Sequence, residues 1–155
     1  MSSGTDQATA RVRELLERVA DAAGVDAEVE IHVDGDGLTG VYVGDDLGLL
    51  IGHHGQTIDA IQHLAYRFAT HGEAERLPVV VDAAGYRERR AQTLRQTAEQ
   101  AAQIAVSDRR AVPLEAMSAL ERKVIHEHLK DHRDVETYSE GQEPSRHLVI
   151  APLVD

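Results

Sequence analysis

The stretch whose residue types and spacing most suggest chemistry is Gly52-His53-His54-Gly55. It lies between the apolar Gly48-Leu49-Leu50-Ile51 and the helix-like Gln56-Thr57-Ile58-Asp59. Two glycines three apart let a backbone bend sharply and leave room for a bulky group to lie on it. A helix starting straight after the bend offers unpaired N–H groups and a partial positive charge. Together these make a seat for a phosphate. Taken alone, the same four residues also describe an ordinary turn.

A second pair stands in the C-terminal half. Arg122 and His126 are four apart within Arg122-Lys123-Val124-Ile125-His126, so on a helix they share one face. An arginine beside a histidine makes a fork of donors suited to a phosphate oxygen. The plainer alternative is a solvated helix face with weak pair energetics. Arg87, Arg89, Arg90 and Lys123 are further candidates for phosphate contact, or ordinary helix surface.

Other clusters point nowhere so definite. His128 and His132 have a spacing that can hold a metal on a helix, but no third ligand follows at a diagnostic position, so no metal is expected. Asp45 and Asp46 read as helix caps, because no partner supports an acid–base pair. No catalytic residue, cofactor or small-molecule substrate is expected.

The 155 residues suit one domain or two small ones. The formal net charge of -11 counts against a general electrostatic grip on polyanions, but its distribution matters more than its sum. Residues 1–85 hold 5 basic against 15 acidic side chains, residues 86–110 hold 6 against 3, and residues 111–155 hold 5 against 9. A basic middle therefore lies between acidic ends. The absence of cysteine excludes disulfides and Cys-ligated zinc. One Phe, four Tyr and no Trp argue against base stacking as the main binding mode. Residues 1–7 are small and polar and read as a flexible tail rather than a signal peptide. No apolar run approaches the roughly 20 residues needed to span a bilayer, so no membrane insertion is expected.

The elements that must position these residues follow from periodicity. Val12, Leu15, Leu16, Val19, Ala20 and Ala23 predict a helix from Ala8 to Ala23, capped by Thr5 or Asp6 and closed by Gly24. Glu28–Val33 and Leu38–Val43 alternate around the turn signal Asp34-Gly35-Asp36-Gly37, with Val41 and Val43 read as sharing a face. Asp45 or Asp46 caps a short helix through Ile51. Ile58, Ile61, Leu64, Ala65 and Phe68 mark the next helix, ending near His71-Gly72, and Leu77–Val81 the third strand. A long helix spans about Tyr86 to Val106. Val112–Glu115 is extended, and Ser118 with Glu121 predicts a capping box for a helix to about Lys130. Val135–Ser139 and His147–Ile150 read as paired strands.

The order helix–strand–strand–helix–helix–strand around Gly52–Gly55 resembles a type II KH domain, expected over residues 8–84. Arg122 and His126, with Pro113–Ser118 before them and Val135–Gly141 and Arg146 after, resemble the small Arg-x-x-x-His, or R-3-H, domain, expected over 85–155. A KH unit followed by such a unit, joined by Gly85-Tyr86-Arg87-Glu88-Arg89-Arg90, resembles the Jag, or SpoIIIJ-associated, family from about Val29 to Pro152.

The resemblance implies an α+β fold, with three helices on a three-stranded sheet followed by a small α/β domain. It also implies a cytoplasmic bacterial protein that binds single-stranded RNA. Family members act in post-transcriptional regulation, or as RNA chaperones, linked to cell elongation and division. Some pair with a second, small KH protein. Longer members carry an extra N-terminal domain, which this chain is expected to lack. Backbone phosphates would sit on N–H groups around Gly52, His53, His54, Gly55 and Gln56. Ile51 and Ile58 would wall a groove for bases, and Arg122 with His126 would hold another phosphate.

One position departs from the family pattern. The residues between the two glycines are often basic there; here they are histidines, which bring charge only when protonated. Binding is therefore expected to tighten as pH falls, because bound phosphate favours imidazolium. Two rivals remain. One is an acidic protein-interaction adaptor with weak or lost RNA binding; the other is a nuclease, for which no acidic triad is visible.

Overall fold

A computed structural model describes residues 2–35, 37–71 and 76–154. The chain divides into two compact units, one ending at Arg87 and one starting at Glu88. Among the described residues, no helix is long and apolar enough to cross a membrane.

The first unit runs α1 (Ser2–Ala23), β1 (Glu28–Asp34), β2 (Gly37–Val43), α2 (Gly48–Ile51), a 3₁₀ turn at His53–Gly55, α3 (Gln56–Ala69) and β3 (Val79–Ala83). Its sheet has the order β1-β2-β3, with β1 antiparallel and β3 parallel to β2. Val12, Leu16 and Ala20 of α1 and Ile58, Ile61, Ala65 and Ala69 of α3 form one core with Val29, Leu38, Tyr42, Val79 and Val81 of the strands. Fully burying a side chain of Leu or Ile size contributes about 1.5–3 kcal/mol, so this layer dominates the unit's stability.

Several boundaries and caps differ from expectation. Helix α1 reaches back to Ser2, so the residues read as a tail are helical from there, and Thr5 and Asp6 lie inside the helix rather than at its cap. Its other end is as expected: Val25 N–H donates to Ala20 O at 2.9 Å and Gly24 N–H to Asp21 O at 3.1 Å, which satisfies two of the last four carbonyls. The α2 cap is Leu47, without a side-chain cap bond. Leu47 is buried, and its burial fixes that position and leaves Asp45 and Asp46 outside the cap.

Val41 and Val43 share a face of strand β2 as expected, and it is the less buried one. Leu38, Gly40 and Tyr42 point inward, and Val43 is exposed. Tyr42 wins this register because its hydroxyl donates to Leu16 O at 2.7 Å, so the whole side chain can be buried. That burial pushes its phenol well above the usual range. Gly40 completes the fit: a Cβ there would lie 2.5 Å from Leu16 Cδ1. The β1–β2 turn signal includes Asp36, and the expected end of α3 includes Gly72; both lie outside the described residues.

The second unit comprises most of α4 (Tyr86–Asp108), then β4 (Val112–Pro113), α5 (Ala119–Leu129), β5 (Val135–Glu140) and β6 (His147–Pro152). Its antiparallel sheet has the order β4-β6-β5, with Val112 and Thr137 both opposite Ile150. Ala98, Ala101, Ala102 and Ala105 make a buried small-residue stripe on α4, packed with Ile125, Leu129, Leu148 and Ile150. Ser118 caps α5 as expected, its Oγ accepting from Glu121 N–H at 3.3 Å. The Glu121 carboxylate accepts from Arg90 Nε at 2.6 Å.

Candidate nucleic-acid interface

The corner between α2 and α3 is built from three residues with positive φ. Gly52 has φ 74 and ψ -178, His54 φ 51 and ψ 30, and Gly55 φ 77 and ψ 12. Only glycine visits such conformations without strain. Packing imposes the same requirement: a Cβ on Gly52 would overlap Thr57 Oγ1, and one on Gly55 would meet Tyr86 Cε1 at 2.7 Å. Both positions therefore demand glycine twice over.

Three of the five amides expected to face phosphate close the corner itself. Gly52 N–H donates to Gly48 O at 2.9 Å, Gly55 N–H to Gly52 O at 3.3 Å, and Gln56 N–H to His53 O. His53 and His54 are exposed, and their rings stack with centroids 3.9 Å apart at 26°. The turn thus projects two imidazoles together from the start of a 14-residue helix.

Of the two isoleucines expected to wall a groove, Ile51 is half-buried and Ile58 is 0 % exposed. Ile58 belongs to the core and offers nothing to a ligand; its place in the first turn of α3 points it at the sheet. The exposed apolar side chain beside the loop is Leu49, at 64 %. Its position between Gly48 and the buried Leu50 was the available signal.

The arginines after β3 are also placed differently from expectation. Arg87 donates through Nη1 to Asp59 Oδ1 at 2.8 Å, through Nη2 to Gln62 Oε1 at 3.0 Å and through Nε to Val81 O at 2.8 Å. Its guanidinium is engaged on all three nitrogens. Arg90 is half-buried against Glu121. Arg89 is exposed.

In the second unit, Arg122 and His126 do not form one open fork. Arg122 is 8 % exposed; its Nη1 donates to Met117 O at 2.6 Å and its Nη2 to Glu143 Oε1 at 2.7 Å. His126 is exposed, with Nδ1 2.6 Å from Thr137 Oγ1, which leaves Nε2 as the outer edge of the ring. Lys123 and Lys130 stand three before and four after it, both exposed. The hydrogen bond and charge of Lys130 hold the Glu127 carboxyl below its usual range, with smaller contributions from His126 and Lys123. Three basic side chains therefore act on the Glu127 carboxylate, and Asp131 adds a second negative charge beside Lys130.

Other features fit a polyanion poorly. A cavity of about 410 Å³ in the first unit is lined by Asp26, Asp45 and Asp46 together with Leu49. His128 lies 2.9 Å from Glu99, and His132 accepts from Asp134 N–H at 3.1 Å. Among the described residues, no three His, Cys, Asp or Glu side chains are grouped to hold a metal ion.

Comparison with known proteins agrees with this architecture. A family model described as KhpA/KhpB, KH domain matches residues 10–81, and one for the R-3-H domain matches residues 92–152. The fold and its two corners thus define a protein with a KH domain followed by an R-3-H domain. The chain is 38 % identical over 140 residues to the RNA-binding protein KhpB of Clostridium symbiosum, covering 89 % of this chain and 63 % of that one. It is 45 % identical over 104 residues to the KhpB of Lactiplantibacillus plantarum, covering 67 % and 32 %. With the KhpB of Bacillus subtilis it shares 32 % over 138 residues, covering 88 % and 66 %. The chain belongs to the Jag, or SpoIIIJ-associated, family. It spans between about a third and two thirds of the length of these relatives.

Proposed function

We propose that this chain binds single-stranded RNA at two separate corners, one in each unit. The observation that carries the reading is the Gly52–Gly55 turn, where two glycines that tolerate no Cβ aim paired, exposed imidazoles outward at a helix N-terminus. Backbone phosphate lies against His53, His54 and the first turn of α3, with Ile51, Gly52, Gly55 and Gln56 shaping the seat and Leu49 beside it. In the second unit the strand passes over His126 and Lys123, with Lys130 near. Arg122 acts there by holding the structure beneath His126. Arg87, Arg90 and Ile58 act as framework, and Arg89 remains a candidate contact.

Two weak sites on one chain reinforce each other when one RNA spans them. The relatives' name, RNA-binding protein, supports RNA over DNA as the ligand. On the family resemblance the chain works in the bacterial cytoplasm as a post-transcriptional regulator or RNA chaperone linked to elongation and division. The same resemblance makes a second, small KH protein its partner. The reading needs no cofactor and no covalent chemistry.

An acidic adaptor is the second reading, favoured by the net charge of -11 and by the internal partners of Arg87, Arg90 and Arg122. Salt dependence separates the two. With about three phosphate contacts, affinity for single-stranded RNA should fall about tenfold or more between 50 and 200 mM salt. An adaptor retains no such RNA. Crosslinking in cells followed by sequencing tests the regulatory role, through recovery of defined transcripts.

A further inference from the structure

The residues Tyr86 and Arg87 open α4 but belong to the first compact unit. We infer that they are positioning residues for the Gly52–Gly55 turn; this rests on the RNA-binding reading above and adds the machinery that holds the site. The Tyr86 ring is packed directly on the backbone of Gly55. A Cβ at Gly55 would sit 2.7 Å from Cε1 and 3.1 Å from Cζ of that ring. The ring therefore fills the space a side chain would take and bears on the residue just before α3.

Arg87 fixes the other side of the same joint. Its guanidinium ties Asp59 and Gln62, in the first two turns of α3, to Val81 O of β3. Gln62 Oε1 also accepts from Val81 N–H at 2.9 Å. The approach to α4 is itself pinned, because Asp82 Oδ1 accepts from Ala83 N–H at 2.8 Å and from Arg87 N–H at 3.2 Å. The beginning of α3 is thus anchored to the sheet while the ring presses on the turn that precedes it.

Two consequences follow for binding. A turn held in its bound shape loses less freedom when a strand docks. Arg87 also offsets the charge of Asp59, the acidic residue in the first turn of α3, which would otherwise oppose phosphate at that helix end. Neither Tyr86 nor Arg87 needs to touch RNA.

The test uses the full chain and a fluorescein-labelled single-stranded RNA 12-mer of mixed sequence, with thermal melts of every variant. Tyr86→Ala and Arg87→Ala should weaken binding about threefold to tenfold, the range in which ordering costs fall. Tyr86→Phe, which keeps the ring, should restore it. Val12→Ala, destabilised in the core away from the turn, should bind like the wild type. Amide exchange without RNA gives an independent reading: Tyr86→Ala should speed exchange at His53 to Gln56 more than elsewhere in the unit. Wild-type affinity in Tyr86→Ala with unchanged exchange at the turn overturns the inference. So does equal loss in Val12→Ala. If the wild type itself ignores the RNA while the exchange result holds, positioning stands and the RNA-binding reading falls.

Discussion

Nη2 of Arg122 lies 2.7 Å from Oε1 of Glu143, while Nη1 donates to the Met117 carbonyl. The first residue of the Arg-x-x-x-His word is thus bonded to the segment before α5 and to the β5–β6 connection. Arg122→Ala should destabilise the second unit by about 2 kcal/mol, because a buried charged donor and its acceptors lose each other. Glu143 is 60 % exposed at its side chain, so Glu143→Gln should cost less, about 1 kcal/mol or under. Urea unfolding of both variants checks the asymmetry.

His126 should behave in the opposite manner. It is exposed and makes its bond to Thr137 at the surface. His126→Ala should change stability by less than about 0.5 kcal/mol yet weaken RNA binding, and Lys123→Ala should add to that loss. Titrations of labelled RNA beside melting curves separate the two effects.

The stacked pair His53 and His54 should make affinity depend on pH. Bound phosphate favours the imidazolium form, so binding takes up protons and tightens as pH falls. One proton taken up gives about a tenfold change per pH unit at most. Titrations from pH 8 to pH 6 at fixed salt should follow this trend in the wild type and show a shallower one in a variant with both histidines replaced by Gln, His126 supplying the remainder.

Gly55→Ala should be costly on its own. The left-handed conformation alone costs a non-glycine residue about 1–2 kcal/mol, and the added methyl would press on the Tyr86 ring. The variant should melt at lower temperature and bind RNA more weakly. A melt unchanged from wild type would falsify the tight fit between Gly55 and Tyr86.

Much of this was legible in the residues. The order of elements, the Ser118 cap and the Gly-x-x-Gly corner follow from local periodicity and turn chemistry, which act over a few residues. The failures have a common physical cause. Arg87 meets Asp59 across 28 positions, Arg90 meets Glu121 across 31, and Arg122 meets Glu143 across 21. No helical or strand period encodes such pairings, so basic residues expected at the surface turned out to brace the fold. Which face of strand β2 is buried was illegible for a related reason. Both of its faces carry apolar residues, and the partner that decided between them, Leu16 O for the Tyr42 hydroxyl, lies 26 residues away.

The most direct measurement is the affinity of the full chain for a labelled single-stranded RNA, with and without glutamate at His53, His54, Lys123 and His126. Loss of more than about tenfold in the quadruple variant, with an unchanged melt, is the predicted result, since each introduced negative charge opposes a phosphate. Undiminished binding by that variant contradicts RNA recognition at these two corners.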